Sequence, residues 1–221
     1  MTFGSVFSGI GGIDLGLERA GWTCAWQIER DPAARTVLKR HWPGVPLHSD
    51  VRGALALRRV DLVSGGPPCQ PFSFASSGKR RGTEDHRWLW PPMRRIVQAL
   101  RPSWVLVENV PGFDGAGLEQ VVSDLEADDY QVAPTLEVPA CAFGHDHRRS
   151  RLWVLGYSDN KGKPRVPVDA EVAVLPFGGG DQPDELGEAF RVPDWVDRMR
   201  LLGNSVVPDE AEWIGKLILE A

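Results

Sequence analysis

Short apolar runs alternate with amphipathic stretches over most of this chain, and glycine or proline separates one from the next. Buried parallel strands appear in a sequence as such runs, and crossover helices appear as the stretches between them. The pattern therefore predicts an α/β fold with a doubly wound, mostly parallel sheet. We expect strands near 5–7, 24–28, 61–64, 104–107, 132–138 and 152–155. We expect helices at 13–20, 32–41, 90–100, 118–127 and 210–219.

The alternation is lost over 157–192, where glycine, proline and charged residues follow one another without a period. Such a stretch predicts a small loop-rich lobe rather than part of the sheet. A chain of 221 residues with 42% apolar content can bury one full core beside such a lobe. We expect a main domain at 1–156, the loop-rich region at 157–202, and a C-terminal motif and helix at 203–221 that pack back on the main domain.

Cysteine usage and hydropathy argue against several classes of protein. Cys24, Cys69 and Cys141 are odd in number and widely spaced, which is typical neither of a disulfide framework nor of a metal site. The first residues run into an ordered motif without a basic and apolar leader, and no apolar run approaches eighteen residues. We therefore expect a soluble cytoplasmic protein with no metal and no membrane partner.

The charge is unevenly distributed. A formal net charge of −5 and an isoelectric point near 5.6 argue against a nucleic-acid partner. However, 79–101 contains seven Lys or Arg against two acidic residues, and 145–165 contains six against two. Each segment alone is typical of a solvated surface. The two segments indicate nucleic-acid binding only if both flank the same site.

One cysteine lies in a rigid segment, Gly-Gly-Pro-Pro-Cys-Gln-Pro-Phe-Ser at 65–73, directly after the predicted strand at 61–64. Proline fixes φ and removes a backbone donor, so the segment can neither extend the strand nor begin an ordinary helix. Cys69 is therefore a candidate nucleophile. The alternative is a buried thiol that serves as a small apolar side chain, as most free cysteines do.

A glycine-rich turn follows the first strand. Residues 7–12 read Phe-Ser-Gly-Ile-Gly-Gly, and Glu29 ends the second predicted strand. Glycines let a backbone approach a ligand, and an acid at that strand end can accept hydrogen bonds from two ribose hydroxyls. The spacing is compatible with a nicotinamide cofactor or with S-adenosylmethionine, and the missing third glycine of the dinucleotide motif favours the latter. A purely structural tight turn is the alternative.

The topology predicts where these features meet. In a doubly wound sheet the strand at 61–64 pairs beside the first strand, and ligands bind at this switch point. The next strand ends in Glu108, so a carboxyl group enters the crevice that holds the turn and Cys69. A thiolate that adds to C6 of a pyrimidine makes C5 nucleophilic, and an acid that protonates N3 assists the addition. The combination points to methylation of pyrimidine C5; a solvated strand end is the alternative for Glu108.

Three arginines precede the last predicted strand. Arg149 and Arg151 are two residues apart, so on a strand they project from the same side. A buried pair of guanidinium groups there is expected to bind an anion or a carbonyl group. Arg148 faces the other way, where we expect solvent. A free cysteine is only about 3% thiolate at pH 7, so nearby positive charge would favour its attack.

These residues resemble the cytosine-C5 DNA methyltransferases, and the resemblance covers nearly the whole main domain. Five motifs occur in the family's order: the S-adenosylmethionine turn at 7–12, the catalytic loop at 67–70, Glu108-Asn109-Val110, Arg149-Ser150-Arg151, and Gly-Asn-Ser-Val-Val-Pro at 203–208. The resemblance implies a Rossmann-like, S-adenosylmethionine-dependent sheet with 157–202 as its target-recognition region. It also implies that the catalytic residues are Cys69, Glu108, Arg149 and Arg151.

The resemblance further implies two sets of binding residues. Those expected to contact the cofactor are Phe7, Ser8, Gly9, Ile10, Gly11, Gly12, Glu29, Asp50, Val51, Pro68, Asn204 and Ser205. Those expected to contact DNA are Gln70, Ser73, Lys79, Arg80, Arg81, Arg87 and Arg148. The implied partner is double-stranded DNA, from which the target cytosine must be flipped out.

The chain departs from the family pattern in three places. His147 stands where the family has glutamine, and Trp88 where it has glycine. Only 46 residues, 157–202, fill the recognition interval, which predicts a short or relaxed recognition site. We expect a monomeric orphan enzyme of phage or bacterial type, and leave open whether a cognate restriction endonuclease exists.

Three other functions compete with this interpretation. One is an RNA cytosine-C5 methyltransferase, which the Gln-Pro-Phe-Ser stretch at 70–73 disfavours because it matches the DNA branch of the family. Another is a catalytically impaired DNA-binding decoy of the same fold, against which an intact Cys69 and Glu108 argue. An oxidoreductase with a Rossmann turn would leave the Pro-Pro-Cys-Gln stretch unexplained.

Overall fold

A computed structural model of the chain describes residues 1–53, 56–68, 88–113, 115–158, 201–202 and 205–221. The strands in these ranges are β1 (Thr2–Val6), β2 (Thr23–Ile28), β3 (Leu47–His48), β4 (Leu62–Gly65), β5 (Trp104–Asn109), β6 (Tyr130–Val132), β7 (Leu136–Val138) and β8 (Arg151–Ser158). The α-helices are α1 (Gly12–Arg19), α2 (Pro32–His41), α3 (Trp90–Leu100), α4 (Ala116–Ala127) and α5 (Pro208–Leu219). None of the helices in these ranges is long and apolar enough to cross a membrane.

The strands of the described ranges form one sheet in the order β3-β2-β1-β4-β5-β8-β6, and β7 also pairs with β8. The pairs from β3 to β5 are parallel, whereas β8 runs antiparallel to β5, β6 and β7. The sheet reverses its order between β1 and β4, as expected for a doubly wound fold. This arrangement confirms the predicted fold class and the pairing of the strand after Asp61 beside β1.

Both faces of the sheet are covered because helices pack on each side. Leu106 of β5 belongs to a buried cluster with Leu17 of α1 and Ile214 of α5. Val105, which directly precedes Leu106 in β5, belongs to a second buried cluster with Val97 of α3. Successive strand residues project to opposite faces, so residues 104–107 of β5, which are buried on both sides, are all apolar.

Helices α1 and α5 approach each other closely at small residues. A Cβ atom at Gly16 would collide with the carbonyl of Pro208 and would lie 2.7 Å from the Cβ of Ala211. A Cβ atom at Gly215 would lie 2.9 Å from that of Ala20. The close approach seats the start of α5 against the first helix, beside the turn that follows β1.

The structure corrects three details of the predicted elements. The strand expected at 132–138 is two strands, β6 and β7, because Pro134 lies between them and cannot donate a ladder hydrogen bond. The two-residue strand β3 was not predicted, since so short a run has no visible period. The first strand ends before Phe7, whose φ of 58° breaks the extended backbone.

Candidate functional site

The carboxyl ends of three parallel strands lie side by side, because Val6 pairs with Gly65 and Gly65 pairs with Val107. The turn at 7–12, the segment 66–68 and the end of β5 therefore border one crevice. Pro68, half-buried, is the last described residue before the predicted nucleophile. Eight predicted site residues lie outside the described residues: Cys69, Gln70, Ser73, Lys79, Arg80, Arg81, Arg87 and Asn204.

The turn after β1 has a left-handed backbone at three positions. Phe7, Gly9 and Gly11 have φ angles of 58°, 56° and 92°. The Gly11 amide donates to the Ser8 carbonyl at 2.8 Å and begins α1. A Cβ atom at Gly9 would meet no atom within 4 Å, so the turn is open on that side. Ile10 is buried in an apolar cluster that includes residues of α2.

The last glycine of the turn contacts the C-terminal segment. A Cβ atom at Gly12 would lie 2.6 Å from Ser205 Oγ and 2.5 Å from the Val206 carbonyl oxygen. Ser205 is itself buried. The absence of a side chain at Gly12 therefore brings Ser205 against the turn, so two predicted cofactor-binding segments meet.

The carboxylate of Glu29 is fixed by backbone amides. Its Oε2 accepts a hydrogen bond from Gly9 N at 2.7 Å, and its Oε1 accepts one from Asp31 N at 2.7 Å. Asp31 also begins α2, because its Oδ1 accepts hydrogen bonds from the amides of Ala33 and Ala34. An ionised carboxylate has about four acceptor positions, so Glu29 keeps capacity for ribose hydroxyls.

The segment after β3 lies next to the end of β2. The amide of Glu29 donates to the His48 carbonyl at 3.0 Å, which places the end of β3 beside the end of β2. Val51 is buried, whereas Asp50 is exposed and accepts a hydrogen bond from the Arg52 amide at 2.9 Å. The structure therefore brings both predicted residues to the same side of the sheet as the turn.

Glu108 and Arg151 form a nearly buried ion pair. Arg151 Nε lies 2.8 Å from Glu108 Oε1, and the two side chains are only 10% and 12% exposed. Burial raises the pKa of Glu108 to about 7, although Arg151 and Arg149 both favour its ionised form. An ordinary glutamate is ionised at neutral pH, whereas this one can hold a proton there and donate it.

Two residues outside the predicted site set lie against this carboxyl group and the segment 66–68 that precedes Cys69. A Cβ atom at Gly66 would lie 2.5 Å from Glu108 Oε2, so only glycine leaves room there. Asn109 is buried, and its Nδ2 donates to the Pro67 carbonyl at 2.9 Å. In the sequence, Gly66 could have been found from the glycine doublet at 65–66, and Asn109 from its place in the Glu-Asn-Val motif.

Arg149 reaches the C-terminal segment rather than Glu108. Its guanidinium group donates to the carbonyl oxygens of Ser205 and Leu202. The predicted strand alternation does not account for this direction, because β8 begins at Arg151 and Arg149 has a φ of 30°. The left-handed backbone turns the side chain inward. Arg148 is exposed, as expected from the sequence.

No group of three or more His, Cys, Asp or Glu side chains suited to a metal ion occurs among the described residues. The chemistry of the crevice, as far as it is described, is that of a buried acid, two guanidinium groups and a backbone turn. This set can protonate a ring nitrogen and bind a carbonyl oxygen or phosphate.

Comparison with known proteins adds the family. Residues 1–175 match the family model described as C-5 cytosine-specific DNA methylase. Type II methyltransferase M2.BsuMI of Bacillus subtilis (strain 168) is 37% identical over 160 residues, which cover 68% of this chain and 40% of that protein. M.AquIA of Picosynechococcus sp. is 32% identical over 175 residues, which cover 69% of this chain and 70% of that protein.

The chain spans less than half the length of some of these relatives, since it covers 40% of M2.BsuMI and 38% of M.HgiCII from Herpetosiphon aurantiacus. Among solved structures, a DNA modification methyltransferase encoded within an Escherichia coli prophage is 26% identical, with a TM-score of 0.63 over 75% of this chain and 50% of that one. Spodoptera frugiperda DNMT2, 22% identical, shares the fold with a TM-score of 0.59 over 74% of this chain and 51% of that one.

Proposed function

The chain belongs to the C-5 cytosine-specific DNA methylases, and on this premise we propose that it transfers a methyl group to C5 of a cytosine in double-stranded DNA. The methyl donor of this family is S-adenosylmethionine. The observation that carries the proposal is the buried ion pair of Glu108 and Arg151, beside the segment that leads to Cys69.

The proposed reaction uses the thiol and the buried acid together. Cys69 adds as a thiolate to C6 of the cytosine, and Glu108 gives its proton to N3, which makes C5 nucleophilic. The raised pKa of Glu108, about 7, keeps that proton available near neutral pH. Once C5 is methylated, its remaining proton leaves to a base, the bond between C6 and sulfur breaks to release the Cys69 thiolate, the C5–C6 double bond returns, and N3 gives its proton back to Glu108.

The described residues fit S-adenosylmethionine. Gly9 is open towards the crevice, which gives a ligand access to the turn. Two backbone amides fix the Glu29 carboxylate, which keeps acceptor capacity for ribose hydroxyls, and Asp50 follows β3, the strand that pairs with β2. Ser205 borders the same turn through Gly12. When bound, the cofactor supplies the methyl group.

The two basic segments contain the residues that we propose contact DNA. Lysine and arginines at 79–87 would meet phosphates on one side of the crevice and those at 148–165 on the other, while the flipped cytosine enters between them. Arg94 and Arg101 of the first basic segment bind acidic residues of the chain instead. Because only 46 residues fill the recognition interval, we propose a short or relaxed recognition site. We further propose that a monomer acts, since one crevice takes one base.

The central test replaces the proposed nucleophile. In a tritium-transfer assay with labelled S-adenosylmethionine, Cys69→Ser should abolish transfer to DNA while cofactor binding persists. Cys141→Ser is the matched control, because Cys141 is a half-buried free thiol outside the crevice and its variant should remain active. Unchanged transfer by Cys69→Ser would remove the proposed mechanism.

Two further assays separate the substrate classes. DNA and tRNA assayed side by side should show transfer to DNA, and transfer to tRNA alone would favour an RNA enzyme. DNA containing 5-fluorocytosine should trap a covalent adduct, which a catalytically impaired decoy would not form. Bisulfite sequencing of DNA from expressing cells should show methylation at short or degenerate sites, and a single long site would contradict the relaxed recognition.

A further inference from the structure

Arg35 of α2 binds the ends of two neighbouring strands at once. Its Nη1 donates one hydrogen bond to the Glu29 carbonyl oxygen at 3.0 Å and another to the His48 carbonyl oxygen at 2.6 Å. Glu29 directly follows β2, and His48 ends β3. The ladder between these strands joins only two residues of each, so the guanidinium group extends the connection at its carboxyl end.

The direction of the Arg35 side chain follows from its place in the helix. Arg35 lies one turn after Asp31, which caps α2, and its amide donates to the Asp31 carbonyl oxygen at 2.9 Å. Side chains on a helix lean towards its N-terminus, so that of Arg35 reaches back over the cap to the end of β2. The positive end of the helix dipole disfavours a cation near the first turn. The two carbonyl oxygens compensate the guanidinium group for this place.

With Arg35 in place, every polar group of Glu29 has a partner. The Glu29 amide donates to the His48 carbonyl oxygen at 3.0 Å, and the Glu29 carbonyl oxygen accepts from Arg35. The two carboxylate oxygens accept hydrogen bonds from the amides of Gly9 and Asp31, both at 2.7 Å. Contacts therefore run without a gap from Arg35 through Glu29 to Gly9, the open glycine of the turn after β1.

We propose that Arg35 is a positioning residue for the cofactor, which holds the backbone of Glu29 so that its carboxylate meets the ribose hydroxyls. Hydrogen bonds from a guanidinium group are charge-assisted and stronger than neutral ones, and Arg35 is half-buried. Without Arg35, the Glu29 carbonyl oxygen loses its partner, and ligand binding would have to order the carboxylate at its own cost. The inference rests on the proposed function, in which Glu29 binds the ribose of S-adenosylmethionine.

The test compares two ligands on the 221-residue chain. S-adenosylhomocysteine and its 2′,3′-dideoxy form differ only at the ribose hydroxyls, and isothermal titration calorimetry gives the Kd of each. Arg35→Gln should weaken the binding of S-adenosylhomocysteine by about threefold or more, a coupling typical of groups in contact. The Kd of the dideoxy form should change much less, because that ligand has no ribose hydroxyl for Glu29 to bind. An equal loss for both ligands, or no loss for either, would overturn the proposal.

Two further substitutions show whether Arg35 acts through Glu29. Arg40 lies exposed in the last turn of the same helix, so Arg40→Gln removes the same charge from α2 and should leave both Kd values unchanged. A loss as large as that in Arg35→Gln would assign the effect to the charge of the helix and refute the proposal. In a chain that carries Glu29→Ala, adding Arg35→Gln should no longer separate the two ligands. A separation that persists there would also refute it.

Arg35→Lys covers the case in which Arg35→Gln does not fold. Lysine keeps the charge but is one atom shorter, so it should not reach both carbonyl oxygens, and the same preferential loss of S-adenosylhomocysteine is expected. Unchanged binding would contradict the proposal. The unmodified chain separates the two proposals: if it binds neither ligand, the proposed function fails. If it prefers S-adenosylhomocysteine to the dideoxy form and Arg35→Gln keeps that preference, only the role of Arg35 fails.

Discussion

Glycine at position 66 leaves room for the Glu108 carboxyl group, and one added methyl group tests whether the place of that carboxyl group matters. In Gly66→Ala the new Cβ would lie 2.5 Å from Glu108 Oε2. Carbon and oxygen atoms in contact lie roughly 3.4 Å or more apart, so Oε2 must move by about 1 Å. The carboxyl group cannot simply swing away, because its other oxygen is bound to Arg151 at 2.8 Å.

A displacement of about 1 Å at a reacting group can lower the rate roughly 100-fold. We therefore expect Gly66→Ala to reduce kcat for methyl transfer by about that factor, with cofactor binding retained. Gly112→Ala is the matched control, since a Cβ atom there would meet nothing within 4 Å and Gly112 follows β5, the strand that carries Glu108. A folded Gly66→Ala enzyme with the activity of the unmodified chain would refute the placement of Glu108.

Two further predictions concern buried polar groups. Asn109→Leu removes the donor to the Pro67 carbonyl, and we expect slower methyl transfer together with a loss of about 1–3 kcal/mol in urea unfolding. Asp14 is fully buried, and burial raises its pKa from 3.8 to about 6. Its contribution to stability is therefore full below pH 3.8 and is lost as pH rises through 6, by about 3 kcal/mol. Asp14→Asn should reduce the fall in unfolding free energy between pH 4 and 7, and an unchanged slope would contradict the burial effect.

The elements that the sequence predicted well are those whose signal is local. Helix α2 begins at Pro32 after an N-capping Asp31, and both features are visible in the sequence. The pairing of β1 with β4 was predictable because a doubly wound sheet offers few topologies. For the same reason the turn at 7–12 and Glu108 were expected in one crevice.

The structural details that the sequence did not predict depend on contacts between residues far apart in the chain. Glu210 in the first turn of a helix is ordinary as a sequence feature, and only the packing of α5 directs it towards Trp153. Arg149 was expected to alternate along a strand, but a φ of 30° turns it towards Ser205. No local pattern encodes either direction, because each depends on which surface the C-terminal segment meets.

The C-terminal segment connects the two halves of the crevice. Its beginning, Ser205, lies against the turn at Gly12 and accepts hydrogen bonds from Arg149 through its carbonyl oxygen. Further along, Glu210 in α5 accepts a hydrogen bond from Trp153, which pairs with Glu108 in the register of β5 and β8. The close packing of Gly16 against the start of α5 holds this helix beside α1, which follows the same turn. We therefore expect a movement of α5 to disturb both the turn at 7–12 and the contacts of Arg149, because Ser205 touches both.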